Sequence, residues 1–150
     1  MSMKHSPYHL LALMAGLHVV AMFVLMYAMV NTFVNTVPNI NFLYMGFMMT
    51  APMLILEMLL MGMMYKDKRL NKVVILIGFV ILVVSFLMIR YQTFVGDKGF
   101  LQSMIPHHSG ALLMCEKAKI TDSEIQQLCA NIITGQKQEI DQMNEILKRL

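Results

Sequence analysis

Charge is scarce in this sequence: Asp, Glu, Lys and Arg make up 14% of its 150 residues, against 57% hydrophobic residues and a mean hydropathy of +0.60. That balance excludes an ordinary soluble domain and points to a membrane protein. A strongly basic face is also missing. The net charge is +3, and its basic excess sits in residues 1–90, where six Lys and Arg face only Glu57 and Asp67; residues 91–150 hold six basic and seven acidic groups. A nucleic-acid surface is therefore not expected. Catalytic signatures are absent as well. There is no H-E-x-x-H, no phosphate-binding loop and no dinucleotide glycine motif. Ser109 beside His108 is no triad, because neighbours on a helix cannot adopt that geometry. Glu-x-x-His pairs, which a di-iron centre of the ferritin-like type needs, do not occur. No enzymatic activity is expected. Internal repeats and low-complexity segments are lacking too.

What is present begins with long apolar runs. Residues 1–9 are polar, with Lys4, His5 and His9, and resemble the start of a signal peptide. The run at about 10–30 is nonetheless long enough to cross a bilayer, which takes roughly 20 residues, and no small-residue cleavage site follows it. An uncleaved span is expected. Residues 31–41 have the composition of a turn, with Pro38 and several asparagines. A second span is expected at about 42–64 and a third at about 73–89. Between them lies a basic loop with Lys66, Lys68, Arg69 and Lys72, and short basic loops stay in the cytoplasm. Counting crossings places the N-terminus in the cytoplasm and residues 91–150 outside, in the periplasm if the membrane is a bacterial inner membrane.

Two polar groups interrupt the spans. With the second span ending at residue 64, His18 and Glu57 both lie about 11 to 12 Å deep. Antiparallel packing would then pair them, and an ionised group at such depth needs a partner. The same register sets Met22 against Met53. Eighteen methionines are many for this length, and they are unevenly placed: the second span holds eight and the third only Met88. A line of soft ligands through the membrane and a plain methionine-packed interface both fit this pattern.

The densest chemistry lies in residues 100–115, FLQSMIPHHSGALLMC. Wound as a helix, Met104, His108 and Cys115 form one stripe, and His107 and Met114 form a second about 100° away. A later helix, capped by Thr121 or Asp122, carries Cys129, Gln136, Glu139 and Met143. Thioether, thiolate and imidazole suit copper(I), and silver(I) behaves similarly, whereas calcium and magnesium take oxygen. Glu139 is either a ligand or a group that orients a histidine. Cys115 and Cys129 stand at similar distances from Asp122, open to a disulfide, to thiolate ligation or to simple burial.

The pattern F-x-x-x-M-I-P-H-H-S-G-A-x-x-M from Phe100 to Met114, followed by Q-x-x-E-I-x-x-M from Gln136 to Met143, resembles the bacterial domain-of-unknown-function family 305. The resemblance implies a ferritin-like helical unit, and some members of that family bind copper in the periplasm. It marks Met104, His107, His108, Met114 and Met143 as metal ligands, while Cys115 and Cys129 lie outside the pattern. The expected fold is all-α: three transmembrane helices in residues 1–90, then an extracytoplasmic two-helix hairpin in residues 91–150. A hairpin of about fifty residues buries little core alone, so completion by a homo-oligomer is expected. The expected role is a membrane-anchored copper(I) or silver(I) binder in metal homeostasis, with the lipid bilayer and other copper-handling proteins as partners. The alternatives are a copper transport component using the intramembrane methionines, His18 and Glu57, and a scaffold without a metal role.

Overall fold

A computed structural model describes residues 7–150, so Lys4 and His5 lie outside the described residues. Among the described residues the chain is all-helical: α1 (Pro7–Leu25), α2 (Ile40–Leu60), α3 (Lys68–Arg90), α4 (Asp97–Lys117) and α5 (Ser123–Lys148). Two 3-10 turns, Met26–Met29 and Phe33–Asn35, lie between α1 and α2. The chain divides into two compact units. One joins the described residues up to Leu25 with Asn41–Thr93, and the other joins Met26–Ile40 with Phe94–Leu150.

The first unit contains most of the apolar sequence. Three segments are long and apolar enough to cross a membrane: Pro7–Met29, Ile40–Leu60 and Lys68–Arg90. The second ends four residues earlier than residue 64, and the third starts earlier than residue 73. The cause is local. Asp67 caps α3 by accepting from the backbone N–H groups of Arg69 (2.8 Å) and Leu70 (3.1 Å), so the basic residues form its first turn. Asn71 donates to the carbonyls of Gly62 and Tyr65, and the Tyr8 hydroxyl donates to Asp67 O and Asn71 Oδ1. The turn thereby satisfies its own polar backbone.

Small residues bring the three helices close. A Cβ on Gly46 would stand 3.2 Å from the Val19 carbonyl oxygen, and one on Gly78 would stand 2.9 Å from the Ile55 side chain. Ala51 is fully buried beside them. Such contacts are the usual means of packing helices where no hydrophobic drive operates between them. They also correct the register expected from the sequence. His18 does not meet Glu57. Its Nδ1 lies 2.9 Å from Thr50 Oγ1, and Thr50 in turn donates to the Gly46 carbonyl at 2.8 Å. Thr50 precedes Glu57 by seven residues, an offset of about 10 Å along a helix. Glu57 instead accepts from the Tyr65 hydroxyl at 3.1 Å. With α2 ending at Leu60, its carboxylate stands one turn from the helix end rather than deep in the span. Burial pushes the Tyr65 phenol above its ordinary value of 10.0, and the hydrogen bond and charge of Glu57 push it further. Met22 and Met53 are both half-buried, and Met53 packs on the cluster of Leu11, Leu54, Met58 and Tyr65.

In the second unit α4 and α5 run antiparallel around Leu101, Ile105, Leu112, Ile140 and Met143. Pro106 lies inside α4, which continues through it. Asp122 caps α5, accepting from the N–H groups of Glu124 and Ile125. Residues 31–41, which read as a simple turn, contribute a strap that packs on α4.

Gly46→Leu forces a side chain against a backbone carbonyl that cannot yield easily. It is expected to destabilise the first unit by about 1–3 kcal/mol, read as a lower thermal midpoint of the detergent-solubilised chain, and an unchanged midpoint would refute the close contact.

Candidate metal centre

Adjacent positions on a helix leave it about 100° apart, so His107, His108 and Ser109 reach three different surroundings. His107 is exposed. His108 is 8% exposed and faces α5. Ser109 is fully buried and turns toward the strap. The His107 and His108 rings lie edge to face with centroids 5.9 Å apart.

Both ring nitrogens of His108 are engaged. Nδ1 lies 2.9 Å from the Met104 carbonyl one turn earlier, an oxygen that can only accept. The proton therefore sits on Nδ1, and Nε2 projects toward α5, where Glu139 Oε2 is 2.7 Å away. Gln136 Nε2 approaches the same carboxylate oxygen at 3.5 Å, the outer limit of a hydrogen bond. Met143, one turn after Glu139, is buried in the shared core, and Met104 packs against that core. The His108–Glu139 contact thus marks one edge of the pair, and both methionines belong to the core that the pair encloses. Glu139 is half-exposed, with 55% of its side chain accessible, so it can move away from Nε2. A metal ion and Glu139 compete for the same nitrogen. Either the carboxylate takes a proton-mediated bond from Nε2, or the nitrogen gives its lone pair to a cation and the carboxylate joins or supports it.

The other expected ligands are distributed differently. Met114 is 54% exposed and shares the outer side of α4 with His107, as the two-stripe reading of the helix implies. Cys115 and Cys129 are joined to each other in a disulfide, their Cα atoms 5.3 Å apart. This corrects their place among the metal ligands, because a disulfide sulfur is not a thiolate and offers no anionic donor. Among the described residues no three His, Cys, Asp or Glu side chains gather together.

Sequence reasoning missed the strap's contribution. The Ser109 hydroxyl donates to Asn31 Oδ1 at 2.6 Å and accepts from the Asn31 backbone N–H at 2.9 Å. Asn35, itself buried, reaches the same oxygen at 3.4 Å. A Cβ on Gly110 would stand 3.5 Å from the Met29 carbonyl, so the strap lies close along α4. The uncharged, asparagine-rich composition of residues 31–41 is the signal that such polar contacts leave, but it specifies no partner.

Among the described residues the fold is all-helical and joins helices of membrane-spanning length to an antiparallel pair whose edge carries the His108–Glu139 contact. Residues 88–150 match the family described as Domain of unknown function (DUF305). The chain is also 34% identical, over 138 residues, to an uncharacterized protein of Acanthamoeba polyphaga mimivirus; the alignment covers 87% of this chain and 89% of the relative, and so extends into the apolar helices. The chain belongs to the DUF305 family. No solved structure matches it.

Two stability measurements follow from this geometry. Ser109→Ala removes the acceptor of the Asn31 backbone N–H and one of two acceptors of the Asn35 amide, and is expected to destabilise the second unit by about 1–3 kcal/mol, with faster hydrogen exchange at residues 31–35. Reducing the disulfide, whose cysteines are 14 residues apart, should remove about 3 kcal/mol in chemical denaturation. A reduced protein as stable as the oxidised one would show that the bridge constrains little.

Proposed function

We propose that this chain is a membrane-anchored binder of soft monovalent cations, copper(I) and by similarity of chemistry silver(I), with no enzymatic activity. The ion is cargo, held by His108 with Met104 and Met143, and Glu139 attends the same nitrogen. One observation carries the reading: Nδ1 of His108 is fixed by a backbone carbonyl, so Nε2 is presented on a rigid helix toward α5, the helix that also carries Met143. Imidazole and thioether together form a soft donor set that remains usable where thiols are oxidised. The DUF305 match spans residues 88–150 and so takes in Met104, His108, Glu139 and Met143.

The location we propose follows from charge and redox chemistry. Lys66, Lys68, Arg69 and Lys72 cluster at the α2–α3 turn, and short basic connections are retained in the cytoplasm. The α4–α5 pair then lies outside it, in the periplasm of a bacterial inner-membrane protein. A disulfide between its two helices suits an oxidising compartment. There the protein would sequester copper for tolerance or pass it to other copper-handling proteins.

A second reading draws on the first unit. Met49, Met53, Glu57 and Met61 line an open groove of about 410 Å³ on α2, a face that could carry the ion in a transport component. Copper(I) flux into sealed vesicles, abolished by Glu57→Ala, would support it, and no flux leaves a binder.

The main test is an anaerobic copper(I) titration of the full chain in detergent against a chromogenic chelator. His108→Ala and Met143→Ala should each weaken binding by about tenfold or more, roughly 1.4 kcal/mol. Glu139→Gln, which leaves Nε2 without its carboxylate, should change affinity by about 10–100-fold. Replacing both cysteines by serine should leave affinity within about twofold. Wild-type affinity no better than that of the His107→Ala, His108→Ala double variant would instead make the helix pair a scaffold.

A further inference from the structure

The two edges of the α4–α5 pair are not alike. On one edge the strap packs on α4, the Glu116–Lys137 ion pair closes at 3.6 Å, and a polar groove of about 310 Å³ runs between Asn31, Asn35, Lys137 and Asp141. Within the second unit the opposite edge is marked by the His108–Glu139 contact. There Phe100, His107 and Met114 follow one another at sevenfold spacing along α4, and Ile125, Leu128 and Ile132 lead to Glu139 along α5 at spacings of three, four and seven. Phe100, Met114, Ile125 and Leu128 are each about half-exposed, between 49% and 56%. The only ionisable side chains in this series are His107 and Glu139.

We infer that this edge is the contact face of a two-fold dimer of the chain, and that the dimer completes the metal centre described above, a step that rests on the soft-cation reading. Three features select a second copy as the occupant. An isologous interface places residue i against j and j against i, and His107 with Glu139 forms such a self-complementary polar pair beside the apolar Phe100, Met114, Ile125 and Leu128. Next, His107 and Met114 are separated by about 10 Å of helix rise, too far to chelate one ion by themselves, so these donors are incomplete within one chain. Finally, the core between α4 and α5 holds five buried side chains, few for an independent unit, and covering this edge doubles the layer into four helices.

The chemistry then connects. When His107 of the partner subunit takes the Glu139 carboxylate, Nε2 of His108 loses its competitor and turns its lone pair to the cation between Met104 and Met143. Each centre uses an inner histidine from one chain and an outer histidine from the other. Loading and dimerisation are therefore coupled.

Complementation of full-length variants tests this. Differently tagged His107→Ala and His108→Ala chains are co-expressed, and the mixed dimer is isolated by two successive affinity steps. Each variant alone should bind silver(I) at least about tenfold more weakly than wild type, while the mixed dimer regains about half of the wild-type stoichiometry at wild-type affinity. A mixed dimer no better than its parents overturns the shared centre. Sedimentation of the wild type and of Leu128→Lys in detergent gives the second arm, with helical circular dichroism and an intact disulfide confirming that the variant folds. Wild type should sediment as a dimer and Leu128→Lys as a monomer with silver(I) affinity reduced at least about tenfold. A monomeric wild type, or a monomeric Leu128→Lys that binds silver(I) as tightly as wild type, overturns the inference and leaves metal binding standing. A wild-type dimer indifferent to silver(I) removes the soft-cation reading, and the shared centre with it.

Discussion

The divergence of two neighbouring side chains on α4 organises the second unit. His108 and Ser109 leave the helix about 100° apart, one toward α5 and one toward the strap. The Ser109 hydroxyl, with no exposure to solvent, is held by Asn31 and Asn35. The helix therefore cannot rotate about its axis without breaking buried hydrogen bonds. His108 is fixed by the same constraint, and its Nδ1 bond to the Met104 carbonyl removes the remaining freedom of the ring. A ligand nitrogen positioned this way is pre-organised, so less ordering entropy is lost when a cation arrives.

This fixing matters because the unit is small. Two helices and a strap bury a modest apolar core, and a core of that size supplies only a few kcal/mol. Covalent and polar staples make up the difference. The disulfide closes the turn end of the pair, and the Ser109 contacts secure α4 on its other flank. Small domains built on a thin core commonly use such devices. Here the disulfide also limits the chemistry: it removes the only two thiols of the chain and leaves methionine as the sole sulfur donor.

Much of this was legible in the residues themselves. Apolar run lengths pointed to three helices long and apolar enough to cross a membrane, Thr121 or Asp122 marked the start of α5, and the 100° rule separated the His108 stripe from the His107 stripe. Features that depend on long-range partners were not legible. The register of α1 against α2 is set by the contact of Gly46 with the Val19 carbonyl, and nothing in the spacing of His18 and Glu57 reveals that approach. An error of four residues at the end of α2 moved Glu57 from the depth of the span to its margin. The cysteines were ambiguous for a related reason: equal distance from a turn permits a bridge, but only the opposed Cα positions make one.

The methionines show how far residue counting can go. In α2 they are not confined to one face: Met58 is 4% exposed, whereas Met49 is 46% exposed and Met45, Met48 and Met53 are half-buried. Abundance of sulfur is thus compatible with packing alone, since a flexible thioether fills irregular gaps wherever it falls. A thioether is a weak donor and binds a cation usefully only beside a stronger, immobilised group. His108 and His18 each have Nδ1 held by an oxygen, that of Met104 and that of Thr50 respectively, and differ in that Nε2 of His108 also faces a carboxylate. Glu57 offers a carboxylate beside Met53 and Met61, but it is held by Tyr65 at the end of the helix and adjoins an open groove. Were a soft cation to bind the second unit, the donor separating ligand methionines from packing ones would be nitrogen, and at His108 that nitrogen is held in place by backbone and carboxylate oxygen.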